Sequence, residues 1–170
     1  METNAALTEA QRTTARFRAA VESADLPAFL ETLAADAVLR SPISLRAQFQ
    51  GREAIADLMP AVFDVIDDIS YFEDIGTEVT RALFYRARVG DQPVEEATLV
   101  RLDDSARVIE MTLHIRPLPG LAALTAGLGP RLVAENKGRA AVLAAMTRPL
   151  AAVTRLGDGL AVRLAQPRRH

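Results

Sequence analysis

The chain contains no cysteine and only two histidines among its 170 residues. Without thiols it can form no disulfide framework, no thiolate zinc site and no cysteine nucleophile, and two imidazoles are too few for a histidine-built metal centre. No Gly-x-Gly-x-x-Gly or P-loop pattern occurs, and no serine, histidine and acid are spaced to suggest a nucleophilic triad. Cofactor chemistry is not expected, and no metal is assigned. Charge of one sign is also missing: 22 acidic residues against 20 basic ones leave a formal net charge of -2. That leaves no positive field to hold the phosphates of a nucleic acid. Met1 to Arg18 is polar and charged throughout, so it reads as neither a signal peptide nor a membrane span. Cytoplasmic residence is the expectation, and a membrane is not an expected partner of the chain as a whole.

What remains is an ordinary globular composition, 49% hydrophobic and 25% charged, enough for one domain with a sizeable core. Apolar residues at helical spacing (Ala15, Phe17, Ala19, Ala20, Val21) predict a first helix from Thr8 to Ser23. Asp25, with Pro27 close behind, starts a second, short helix that buries Phe29, Leu30 and Leu33 and ends near Ala35. A brief strand from Asp36 to Ser41 stops at Pro42. Gly51 then opens a third helix carrying Ile55, Leu58, Val62, Phe63 and Ile66. After Asp68 the period of the apolar residues changes from about 3.6 to 2. Four strands are predicted, near 70–79, 82–89, 94–102 and 107–115, and their short turns imply an antiparallel meander. From Arg116 onward, Ala- and Leu-rich helices are expected, broken at Gly129-Pro130, Pro149 and Gly157-Asp158-Gly159.

This order of elements resembles the nuclear transport factor 2-like superfamily, which includes SnoaL-like polyketide cyclases, ketosteroid isomerases and limonene epoxide hydrolases. The resemblance is carried by Ala24-Asp25-Leu26-Pro27-Ala28-Phe29, by Asp36-Ala37-Val38-Leu39-Arg40-Ser41-Pro42 and by Gly51-Arg52-Glu53-Ala54-Ile55. Arg107 to Thr112 and Arg116-Pro117-Leu118 also look like an uncharacterised bacterial branch. It implies an α+β fold in which a cone-shaped, strongly bent antiparallel sheet packs on three N-terminal helices. The domain would span residues 1–117, with 118–170 a helical extension packed on the same domain.

Strand alternation sorts side chains between the two faces of such a sheet. Leu83, Tyr85, Ala87 and Val89, then Glu96, Thr98, Val100 and Leu102, then Ile109, Met111, Leu113 and Ile115 should face the interior. Phe84, Arg86, Arg88, Leu99, Glu110, Thr112 and His114 should face outward. The outer mixture suits a homodimer interface, and the resemblance implies the same. Sliding family patterns onto the chain places Phe17, Ser41, Thr98 and Leu113 where relatives carry acids or a tyrosine. A slip of one residue would instead bring His114 into the pocket, where a histidine near its reference pKa of about 6.5 is a credible base.

The candidate ligand-binding set is therefore Phe17, Ser41, Phe63, Tyr71, Tyr85, Thr98, Met111 and Leu113. Glu96 and His114 are the candidate acid/base residues, since an inward carboxylate in an apolar strand has a raised pKa. Each has a structural alternative: Ser41 can bond a neighbouring backbone group, the tyrosines can fill core, and His114 can stand on a dimer surface. The acidic cluster of Asp64, Asp67, Asp68, Glu73 and Asp74 reads as solvated surface.

Two functions stay open. One is binding of an apolar small molecule; the other is a cofactor-independent cyclase or isomerase acting on a polyketide-like or terpenoid substrate. The apolar stripes after Pro117 (Leu121, Leu124, Leu128, Leu132, Val142, Leu143, Met146, Leu150, Val153) must bury a face, and capping the open end of the cone would do so. A membrane-surface role, suggested by the nearby arginines, is the second reading of that segment.

Overall fold

In the computed structural model, residues 7–133 and 137–165 are described, with 159–165 traced as helix backbone only. The expected tail Arg168-Arg169-His170 lies outside them.

Helix α1 (Glu9–Glu22) opens with a capping box. The Thr8 hydroxyl accepts from the Gln11 backbone N–H, and the Gln11 side chain accepts from the Thr8 backbone N–H. Two otherwise orphaned donors are thereby satisfied. Helix α2 (Leu26–Glu31) is capped by Asp25, whose carboxylate accepts from Ala28 N–H at 3.0 Å. It ends earlier than the sequence suggests, because Leu33 already belongs to strand β1 (Leu33–Arg40). A three-residue strand, β2 (Gln48–Gln50), pairs with β1 and precedes helix α3 (Arg52–Phe63). The meander follows as β3 (Asp67–Gly76), β4 (Thr80–Val89), β5 (Gln92–Leu102) and β6 (Val108–Arg116).

All six strands form one curled, unclosed sheet in the order β2-β1-β6-β5-β4-β3. The meander is antiparallel, as expected, whereas β1 joins β6 in parallel. Helix α3 and four intervening strands separate β1 from β6 in sequence, which allows the parallel pairing.

Alternation places the inward side chains of β4 and β5 as anticipated: Leu83, Tyr85, Ala87, Val89, Glu96, Thr98, Val100 and Leu102 are all buried. On β6 the expectation for Ile109 fails. Arg101 pairs with Glu110 but Leu102 pairs with Val108, so Ile109 is the extra residue of a bulge and Val108 takes the inward place. Past the bulge the alternation resumes, with Met111 buried and Leu113 and Ile115 half-buried on the inner side.

Helix α1 is tied to the sheet by a polar knot. Thr14 donates to Asp74 at 2.6 Å, and the buried Arg81 guanidinium donates to the other Asp74 oxygen at 2.7 Å. Asp74, expected on a solvated surface, is thus a structural anchor.

Helix α4 (Leu118–Leu132) crosses the sheet and buries Ala122, Leu124 and Leu128. Its close approach depends on glycine. A Cβ at Gly120 would stand 2.3 Å from Val94 Cγ1, and one at Gly127 would stand 2.9 Å from Val65 Cγ1. Helix α5 (Lys137–Ala165) folds back on α4.

The expected breaks inside these two helices do not occur. Pro130 sits in the last turn of α4. Pro149 is exposed, so the carbonyl it leaves without a donor four residues earlier can be solvated.

The expectation that the α5 stripe is buried is also overturned. Val142, Met146, Leu150 and Val153 are 52–69% exposed. The packed side of α5 is instead the half-buried row Ala140, Leu143, Thr147, Ala151 and Thr154. Those mostly small side chains let the two helices approach, and the larger ones are left outside.

Candidate functional site

Between the concave face of the sheet and the helices lies a cavity of about 290 Å³, near the lower end of the range for small-molecule sites. Its floor is Phe17 and Val21 from α1, Phe29 from α2, and Leu58, Met59 and Val62 from α3. The phenyl rings of Phe17 and Phe29 pack at 5.2 Å, tilted by 59°. Its sheet wall is Tyr71, Tyr85, Glu96, Thr98, Met111 and Leu113. The last side is closed by α4 and α5 through Leu124, Leu128, Leu132, Leu143 and Thr147, and the 41–47 loop borders the opening with Ser41, Pro42 and Ile43.

One carboxyl interrupts this apolar lining. Glu96 is buried, and its two oxygens accept separately: Tyr85 Oη donates to Oε2 at 2.6 Å, and Thr98 Oγ1 donates to Oε1 in a short hydrogen bond. Residues 96 and 98 share a face of β5, and Tyr85 is the direct cross-strand partner of Glu96 on β4. The trio is therefore a product of strand period and register. The Tyr71 ring meets the Tyr85 ring edge-on at 5.2 Å.

Burial pushes the Glu96 carboxyl above the usual glutamate range. The Thr98 and Tyr85 hydrogen bonds oppose that rise, as does the charge of His114. Burial also lifts both tyrosine hydroxyls well above their ordinary value, with the Glu96 charge adding to the effect. Near neutral pH both tyrosines stay protonated. The group able to exchange a proton here is Glu96.

Of the residues singled out from sequence, Phe17, Ser41, Tyr71, Tyr85, Glu96, Thr98, Met111 and Leu113 come together around this cavity. Two do not join them. His114 is exposed on the outer face, its Nδ1 3.3 Å from the Ala97 carbonyl, because β6 keeps Leu113 opposite Thr98 and the alternation turns the next side chain away. Phe63, at the end of α3, packs half-buried against the core without lining the cavity. Ser41 lines the opening while its hydroxyl accepts from Ile43 N–H at 3.1 Å, so it has both a structural bond and a place at the cavity.

The residues missing from the sequence-derived set include Val21, Phe29, Leu58, Met59 and Val62 of the floor and those of α4, α5 and the loop after Ser41. The stripe Leu121, Leu124 and Leu128 was the available signal, but the sequence does not say onto what it folds.

No family model matches the sequence, and no curated relative is similar to it. Solved structures are. A steroid delta-isomerase from Pseudomonas aeruginosa is 26% identical and superimposes with a TM-score of 0.68, covering 78% of this chain and 98% of that one. An NTF2-like protein of unknown function from Mesorhizobium loti has a TM-score of 0.57 at 19% identity, over 64% of this chain and 92% of its own. A protein provisionally assigned as a SnoaL-like polyketide cyclase, from Shewanella denitrificans, has a TM-score of 0.54 at 12% identity, over 63% and 90%. With its helices and curled six-stranded sheet in the same arrangement, the chain has the nuclear transport factor 2-like fold.

Proposed function

We propose that this protein binds an apolar small molecule bearing one polar function, with the hydrocarbon part in the cavity and the polar atom at Glu96. The observation that carries this reading is the single buried carboxyl, held by Tyr85 and Thr98, in a wall of aliphatic and aromatic side chains whose other polar groups are uncharged hydroxyls. A raised carboxyl that is protonated when the ligand enters can donate to a carbonyl or hydroxyl oxygen, and a buried hydrogen bond of this kind contributes about 0.5–1.5 kcal/mol. The apolar wall supplies the rest through area removed from water.

A direct test uses 1-N-phenylnaphthylamine as a fluorescent probe, displaced by either 2-acetylnaphthalene or 2-ethylnaphthalene. The two competitors differ chiefly in a carbonyl. The wild-type protein should favour the ketone about tenfold, within the range of one buried hydrogen bond, and Glu96→Leu should abolish the preference while still binding the hydrocarbon. Equal affinity of the wild type for both would refute the placement of the polar function.

A second reading has its own support. Glu96 is a carboxyl shifted toward neutrality by burial, the property required of a general acid or base, and a structural neighbour is a steroid delta-isomerase. Ionised Glu96 would take a proton from the carbon beside a carbonyl and return it without a cofactor, either to another carbon, isomerising the substrate, or to the oxygen of a second carbonyl that the carbanion has attacked, cyclising it. Deuterium exchange at the methyl group of 2-acetylnaphthalene, faster with wild type than with Glu96→Gln, would support proton transfer. Rates equal to those without protein would leave binding alone.

For the outer face of the sheet we propose pairing with a second copy, supported by exposed Phe72 and Ile75.

A further inference from the structure

The α4–α5 hairpin and the 41–47 loop share a surface chemistry. Along α5 the outward stripe runs Val142, Met146, Leu150, Val153 and Leu156, each between 52% and 75% exposed. These residues recur every three or four positions, so they form one face of the helix. Across the cavity opening, Ile43 is 39% exposed and Leu45 is fully exposed, and Leu132 at the end of α4 is 43% exposed.

The charge on these segments is mostly basic. The loop from Ser41 to Ala47, all of α4, and α5 as far as Gly157 contain no carboxylate, while Arg46, Lys137 and Arg139 are exposed there. In the whole sequence, residues 1–117 hold twelve basic against twenty acidic side chains, and residues 118–170 hold eight against two. Three cations of the hairpin face the body instead: Arg155 pairs with Asp91 at 2.9 Å, and Arg131 and Arg148 line a cleft with Asp64 and Asp67.

From this surface we infer that the outer face of α5, with the 41–47 loop, docks on an anionic lipid bilayer. An amphipathic helix with an apolar face and neighbouring cations lies in the headgroup region of such a membrane. Each Lys or Arg near the surface strengthens the association about fivefold. No helix among the described residues is long and apolar enough to cross a bilayer, so the mode is lying on the surface. The sign of the charge selects an anionic membrane over a second copy, for which the same stripe would have to face another row of cations.

Two of the docked residues, Ile43 and Leu132, also line the cavity. A bilayer in contact with them would deliver an apolar ligand without exposing it to water. This last step rests on the binding reading above; the docking does not.

The experiment is flotation of the full chain with vesicles of mixed phosphatidylglycerol and phosphatidylcholine, and with phosphatidylcholine vesicles alone, at low and high salt. Wild type should float with the anionic vesicles, more weakly as salt rises. The triple variant Val142→Gln, Met146→Gln, Val153→Gln should lose at least tenfold in partitioning, with its circular dichroism unchanged because all three side chains are exposed. Arg46→Glu with Lys137→Glu should abolish the preference for anionic lipid. No flotation of wild type, or flotation unaltered in the triple variant, overturns the docking. So does sedimentation showing a wild-type dimer that the triple variant abolishes without any vesicle binding, since the stripe would then pair copies. Binding of 1-N-phenylnaphthylamine is read in parallel: its absence in wild type would overturn the cavity reading alone, and flotation would still decide the docking.

Discussion

The body of this protein and its C-terminal hairpin are built on opposite principles. The body, through β6, is acidic and closes around residues that are almost fully excluded from water, such as Phe29, Leu33, Ile55 and Leu83. The hairpin is basic, lies against the body mainly through α4, and turns the large side chains of α5 outward. The difference teaches that hydrophobic periodicity identifies a helix but not which way it faces. In the body, large residues are buried because strand pairing and three helices leave no other place for them. In the hairpin, contact between α4 and α5 is made by small residues, so the larger ones remain available.

Stability measurements should separate the two regions most sharply at their apolar side chains. Phe29→Ala, in the body, should cost about 3–5 kcal/mol of unfolding free energy in urea. Val153→Ala, on the exposed face of α5, should stay within about 0.5 kcal/mol. Equal costs would mean that the α5 face is covered in solution.

The junction between the regions is tested at Gly120. Alanine there would bring a methyl to 2.3 Å from Val94, so Gly120→Ala should destabilise by about 1–3 kcal/mol through overpacking. Combining it with Val94→Ala should recover part of that loss. A coupling energy below about 0.5 kcal/mol in the double-mutant cycle would show that α4 does not seat against β5 as described.

The smallest effect is expected from Glu96→Gln, read as a function of pH. Burial raises the Glu96 pKa in the folded state, so the folded protein holds that proton more tightly than the unfolded chain does. Wild-type stability should then fall as pH rises from the ordinary glutamate range through the raised folded value. The glutamine variant lacks this titration. Its midpoint temperature relative to wild type should climb over that window and be flat below it. A constant difference across pH would mean that Glu96 is solvated.

Much of the body was legible in the sequence. Thr8, Asp25 and Gly51 mark helix starts by local chemistry, and the two-residue period of β4 and β5 is enough to assign Tyr85, Glu96 and Thr98 to the inner face. Where reading failed, a non-local contact or an irregularity decided. Strand β2 is three residues long, too short for a period. The bulge at Ile109 shifts one residue of β6, and no composition announces it. His114 was ambiguous for the same reason: a slip of one residue exchanges the faces, and only its pairing with Ala97 across β5 settles that it points out.

The sequence by itself determined the kinds of elements, their order, the inward faces of the central strands and the absence of thiol chemistry, because capping, periodicity and composition act over a few neighbouring residues. Only the tertiary structure decided the parallel β1–β6 pairing, the meeting of Glu96 with Tyr85 inside an apolar cavity, and the closure of that cavity by α4 and α5. Those features depend on which surfaces of distant segments can be buried together, a choice made by the packing of the whole chain.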